Sequence, residues 1–219
     1  MISCLFSFHV FYMTMNTVRA RDTYHVGNLA PQLLSAARDM LEQVGPTKLS
    51  LRAVAERVNV SSAAAYHHYA NRAELIGNLA AQGFDELADA MARRDKRDSG
   101  MQKLRAASLI YFRFARANPA LYQLMFGPEF ATGQTIAALF TARERAFGEL
   151  KNSIAEVLQC DPQAVEVRRA ARAAWSYTHG LASLVIHGML QIPAGVSEER
   201  FLDGTLQGYG YLFQRGEHE

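Results

Sequence analysis

A chain of 219 residues with 49% apolar and 20% charged side chains has the make-up of a globular protein with a sizeable core, which sets aside disorder and coiled coil. A formal net charge of +2 gives no overall polyelectrolyte character, so any surface for nucleic acid has to be local. Cys4 and Cys160 stand far apart without C-x-x-C spacing, which argues against a disulfide framework or a zinc site and for a reduced, cytoplasmic setting.

Residues 1–27 begin with MISCLFSFHVFYM, an apolar run with no Lys or Arg before it and no small-residue cleavage site after it, so export is not the expected reading. Met13 and Met15 sit just before TVRARDTYHV, and a start codon assigned too far upstream accounts for the run. This extension is expected to be loosely ordered.

From Leu29 onward apolar residues recur at helical spacing and no strand-like alternation is sustained, which predicts an all-α fold of about nine helices. Leu29, Leu33, Ala37, Met40, Leu41 and Val44 form one face of a first helix, ended by Gly45 and Pro46. Ser50 is placed to cap a short second helix containing Val54, Ala55 and Val58, and Ser61, after an Asn59-Val60 turn, a third. Asn71 with Glu74 reads as a capping box for a fourth helix through Leu75, Leu79, Phe84, Leu87 and Met91, closing in the charged run RRDKRDSG.

A fifth helix spans about 101–117, and Asn118-Pro119 supplies cap and first-turn proline for PALYQLMF. Ile136, Leu139, Phe140, Phe147, Leu150, Ile154 and Val157 mark a longer helix, Asp161-Pro162 restarts the chain into one reaching Leu190, and a last one covers about 197–213. Ala173 to Leu190 lacks any charge, yet Ser176, Thr178, His179, Ser183 and His187 make it a buried helix rather than a membrane span. The short helices of 28–75 are too few for a robust core of their own; they form a small module leaning on a larger body, 76–219.

Helix, turn, helix over 51–68 has the spacing of a DNA-binding helix-turn-helix, whose second helix enters the major groove. Ser61 and Ser62 open that helix, and Ala63 and Ala64 let the backbone approach base edges and offer methyls to thymine. Tyr66, His67 and His68 reach phosphate oxygens or the sugar wall, while Lys48, Ser50, Arg52 and Arg72 make a phosphate clamp helped by helix N-termini. From Arg19 to Arg72 seven Lys or Arg face four acids, a local +3 that leaves about −1 for the remainder. Adjacent histidines diverge by about 100° around a helix, so His67-His68 is not read as a metal site, and no cofactor is implied.

LSLRAVAERVNVSSAAAYHHYANRAEL resembles the N-terminal DNA-binding signature of the TetR family of transcriptional regulators: Ser before helix two, Ala within it, Val-Ser in the turn, Tyr-x-His closing the recognition helix, then a basic residue and Glu-Leu. Arg72 stands where that signature more usually has lysine, and Asn59 where glycine is common. NPALYQLMFG and WSYTHGLASLVIHG resemble the family's ligand-binding, dimer-forming body, in a subclass named for a Trp, His and Gly that are Trp175, His179 and Gly180 here.

Trp175 and His179 lie four apart on one helical face, either lining one cavity or serving as core with a hydrogen-bonded histidine. Tyr111, Phe112, Met125, Phe126, Phe140 and Tyr177 are the further candidates for the wall of an apolar pocket. Gly180, Gly188, Gly204, Gly208 and Gly210 are costly inside helices, and the resemblance implies that the last two helices pair with those of a second copy. Arg168, Arg169 and Arg172 read as a solvated face or interface rim. No G-x-S-x-G, H-E-x-x-H or Gly-rich phosphate loop points to an enzyme.

The expectation is a ligand-responsive repressor, binding a near-palindromic DNA site as a homodimer and released by a small apolar or aromatic molecule. The alternatives are an activator, or a small-molecule-binding or interaction protein built on the same body.

Overall fold

Helical periodicity becomes helix almost throughout. The computed structural model describes residues 29–93, 100–130 and 136–214; the N-terminal extension and most of the charged run after the fourth helix lie outside the described residues. Among the described residues there are nine α-helices and no strand: α1 (Leu29–Lys48), α2 (Leu51–Arg57), α3 (Ser62–His68), α4 (Arg72–Ala92), α5 (Met101–Ala117), α6 (Pro119–Met125), α7 (Ala137–Leu158), α8 (Val165–Ile186) and α9 (Glu198–Gln214). A 3₁₀ turn, Pro128–Phe130, follows α6.

The short N-terminal helices are set by caps. Ser50 Oγ accepts from the Ala53 amide at 3.2 Å and Ser61 Oγ from that of Ala64 at 3.1 Å. Asn71 Oδ1 accepts from the Glu74 amide at 2.9 Å, and the Glu74 carboxylate reaches back to the Ala70 amide at 2.6 Å, one residue before the cap itself. Asn59, in the turn between α2 and α3, takes the left-handed conformation (φ 58°) that the sequence makes room for.

Gly45 interrupts α1 as expected, with φ 74° and ψ 168°, and Pro46 to Lys48 form a separate short turn beyond it. Three other features differ from expectation. Asn118 does not cap α6 with its side chain, which instead donates to the Phe114 carbonyl and accepts from Arg38 at 2.7 Å. α8 opens at Val165, not at Pro162, because Asp161 Oδ1 takes the Gln163 amide into a turn. It closes at Ile186, short of Leu190, and Gly188 (φ 72°) turns the chain; this glycine is needed for its conformation and not for helix packing.

One continuous core runs from Leu33, Ala37 and Leu41 of α1 through Val54, Leu75, Leu79 and Phe84 to Phe112, Leu121, Met125 and Leu181. It crosses the expected module boundary at residue 75 without a break, because α4 packs against α1 as well as against α6 and α7. Polar ties reinforce the junction: Arg38 of α1 meets Glu86 of α4 as well as Asn118, and Glu42 accepts from the Leu121 amide at the start of α6. A smaller apolar cluster of Ile154, Ala155, Val167 and Ala171 joins α7 to α8. No helix among the described residues is long and apolar enough to cross a membrane.

Candidate nucleic-acid interface and ligand site

α3 turns Ala65 into the core, and Tyr69 follows it there just past the helix, its hydroxyl donating to the Ala30 carbonyl of α1 at 3.1 Å. Burial raises the Tyr69 pKa. With those two positions inward, helical geometry leaves Ala63, Tyr66, His67 and His68 outward, Tyr66 45% exposed, and Ser62 and Ala64 half-buried on the leading turns. Lys48 and Arg52 are exposed nearby in sequence.

Two members of the expected phosphate clamp, Ser50 and Arg72, and Ser61 at the opening of the recognition helix make bonds within the protein. The Ser50 and Ser61 hydroxyls accept from helix amides. Arg72 points back over the α1–α2 joint, its Nε donating to the Leu49 carbonyl at 2.8 Å and an Nη to that of Pro46 at 2.5 Å. Here the planar guanidinium does what a lysine ammonium does not, holding two carbonyls in a fork. Arg72 thus braces the helix-turn-helix through the carbonyls of Leu49 and Pro46.

The second site lies where α5, α6 and α8 meet. Trp175 Nε1 can only donate, and it donates to the Tyr111 hydroxyl at 3.2 Å. Tyr111 and Tyr122 hydroxyls are 3.0 Å apart, and Tyr122 lies 2.6 Å from His179 Nδ1. A neutral His179 satisfies all of them in one direction: indole N–H to Tyr111, Tyr111 to Tyr122, Tyr122 to Nδ1, and Nε2–H toward Ser183 Oγ at 3.5 Å. Burial holds the histidine below its ordinary pKa and pushes Tyr122 up to about 12, with Tyr111 also raised by burial, so every member stays neutral.

Aromatic rings surround this chain. Phe126 lies 4.5 Å from His179 and 5.2 Å from Phe84 between ring centroids, and Phe147 lies 5.0 Å from Trp175. Trp175, His179, Phe126, Met125 and Phe147 open on a cleft of about 700 Å³, within the range of small-molecule sites. His179 and Phe126 also face a neighbouring cleft of about 470 Å³, shared with Tyr122 and Ser183 and walled by Pro46 and Thr47 at the end of α1.

Of the expected pocket residues, Tyr111, Met125, Phe126, Trp175 and His179 come together. Phe112 does not join them: it is fully buried against Phe201 of α9. Phe140 is 61% exposed on α7 and lines neither cleft, since the α7 core face is carried by Leu139 and Ala142. Tyr177 lies off the hub, with its ring 5.3 Å from Tyr209 of α9. Arg172, read as a rim residue, borders the larger cleft beside Trp175.

Tyr122, Phe84, Phe130, Phe147, Ser183 and Arg143 also line the two clefts. Only Tyr122 carried a usable signal of this in the sequence, an aromatic hydroxyl inside the otherwise apolar PALYQLMF. Among the described residues no cluster of His, Cys, Asp or Glu is placed to hold a metal ion.

A further surface lies on α8, α9 and the turn between them, where Leu184, Met189, Leu206, Tyr209 and Tyr211 are exposed. A Cβ at Gly180, Gly204 or Gly208 would meet nothing within 4 Å, so nothing in this single chain crowds those positions.

Comparison with known proteins matches both halves of this arrangement. The family described as "Bacterial regulatory proteins, tetR family" matches residues 33–79, and that described as "Tetracyclin repressor-like, C-terminal domain" matches residues 104–207. The HTH-type transcriptional regulator YobS of Bacillus subtilis is 31% identical over 102 residues, 45% of this chain and 51% of YobS, so the chain spans about half the length of that curated relative. A solved structure of a Rhodococcus protein of unknown function superposes with TM-score 0.73 at 28% identity, covering 86% of this chain and 96% of its own. The regulator PfmR from Thermus thermophilus shares the fold at TM-score 0.57 and 18% identity, covering 86% of this chain and 100% of PfmR.

Proposed function

The chain belongs to the TetR family of DNA-binding transcriptional regulators, which are not enzymes, and from that membership we propose that it works as a homodimeric repressor released from DNA by a small apolar or aromatic molecule. The observation that carries the reading is the shared wall of the two clefts. His179 and Phe126 line both, and Pro46 and Thr47 of α1 line the second, so a molecule seated against the hub lies one side chain from the first helix of the DNA-binding module.

Release then follows from differential affinity. A ligand that fits the clefts only when α6 and α1 shift favours a form whose recognition helices no longer match the groove spacing, and its effect is limited to that difference in affinity. The exposed Leu184, Met189, Leu206, Tyr209 and Tyr211, with the uncrowded Gly180, Gly204 and Gly208, support a two-fold interface through α8 and α9 in which a partner's helices approach closely. Two α3 helices held one turn of DNA apart would read a near-palindrome, with Ser62, Ala63 and Ala64 toward base edges and Lys48, Arg52, Tyr66, His67 and His68 toward the backbone.

The test is fluorescence anisotropy of the protein on a duplex from upstream of its own gene, against scrambled DNA, across a salt series. Selective binding at two chains per duplex, with an affinity that falls steeply with salt, is the expected result. Selective binding at one chain per duplex would overturn the homodimer. Failure to select any sequence, even from a random pool, would overturn operator binding.

A further inference from the structure

The larger cleft is not purely apolar. Arg143 of α7 lines it together with Trp175, Phe126 and His179, and its guanidinium lies 5.5 Å from the ring centroids of both Phe84 and Phe130. Two aromatic faces hold the cation in place without neutralising it. Among the described residues, one of the five guanidinium N–H donors reaches an acceptor, the Met125 carbonyl, at the long distance of 3.4 Å, and no carboxylate pairs with it.

Other arginines behave differently. Arg145, two residues on, is engaged by Asp85 and Asp89, Arg105 by Asp203, and Arg113 by Glu198 and Glu199. Arg143, unlike these, is partly buried without an acid, and burial lowers its pKa with no opposing partner. Arg172 and Glu144 also border the cleft, so its formal balance is one positive charge with His179 neutral. A half-desolvated cation with free fork donors at the edge of an aromatic cleft is complementary to a carboxylate carried on an apolar body.

We infer that the cleft takes a monocarboxylate with an alkyl or aryl tail, its carboxylate on Arg143 and its tail against Phe126, Phe147 and Trp175. This rests on the ligand-responsive reading above and narrows it to a chemical class. Trp175 is the chain's single tryptophan, so its fluorescence reports on this cleft directly.

The experiment titrates the full chain with decanoate and phenylbutanoate and with the matching alcohols, decanol and phenylbutanol, following Trp175 emission. Each carboxylate is expected to bind at least about tenfold tighter than its alcohol. Arg143→Gln is expected to abolish that preference by weakening carboxylate binding, with an unchanged circular dichroism spectrum showing that the variant is folded; Arg143→Lys is expected to restore part of it. Alcohols binding as tightly as carboxylates to the unaltered protein would overturn the inference while leaving the ligand-responsive reading in place. A preference that survives in Arg143→Gln would move the anion site elsewhere and overturn it too. No Trp175 response to any of the four would remove this inference, and the apolar-ligand reading with it.

Discussion

Replacing Arg72 with methionine keeps most of the stem's volume and removes the fork that joins α4 to the α1–α2 joint. Two charge-assisted hydrogen bonds are lost, to the carbonyls of Leu49 and Pro46. Bonds of this kind contribute about 1.5–3 kcal/mol each when buried, but Arg72 is half-exposed and water can replace part of the interaction. The Pro46 carbonyl also keeps a second donor, the Leu49 amide at 3.3 Å, so the Leu49 carbonyl is the group left bare. Together these give a loss of about 2 kcal/mol, which for a chain of this size lowers Tm by roughly 4–8 °C. Urea denaturation followed by circular dichroism reads the stability, and DNA affinity across a salt series reads the charge. An Arg72 bound to protein carbonyls predicts weaker DNA binding at every salt concentration with the salt slope unchanged. A phosphate ligand predicts the reverse, near-normal stability and a slope shallower by about 0.9 for each subunit. That second result would refute the bracing role.

Two further outcomes follow from the body. Because burial holds the folded His179 below the ordinary histidine value of about 6.5, its stabilising contribution is fully present above that pH and is lost as pH falls through the folded pKa; urea midpoints should therefore drop more steeply on acidification in the unaltered protein than in His179→Gln, and parallel curves would show that the hub does not need a neutral ring. Gly83→Ala sets a helix-propensity gain of about 1 kcal/mol against a Cβ that would meet Met125 Sδ at 2.7 Å and Leu121 Cδ2 at 2.9 Å, both on fully buried side chains; a net loss of about 1 kcal/mol by chemical denaturation is expected, and a gain would mean that the α4–α6 contact yields easily.

The sequence alone determined the helices and the outward face of α3. Both depend on interactions within a few residues: Ser50, Ser61 and Asn71 each cap the amide three residues on, and burying Ala65 and Tyr69 leaves Tyr66, His67 and His68 outward by the 3.6-residue period alone. Tertiary structure decided what the polar groups do. Arg72 meets carbonyls 23 and 26 residues away, and Asn118 turns from its own helix to Arg38, 80 residues distant. Phe126 and Phe140 look alike in sequence, yet one lines a cleft and the other faces outward, because the packing of α7 on α4 settles which positions turn inward. The Trp175–Tyr111–Tyr122–His179 chain draws on three helices, and the cation of Arg143 stands out only in the folded chain, where Asp85 and Asp89 engage Arg145. Periodicity specifies which residues a helix buries; a hydrogen bond or an unanswered charge between distant helices is specified only when the folded chain brings its two ends together.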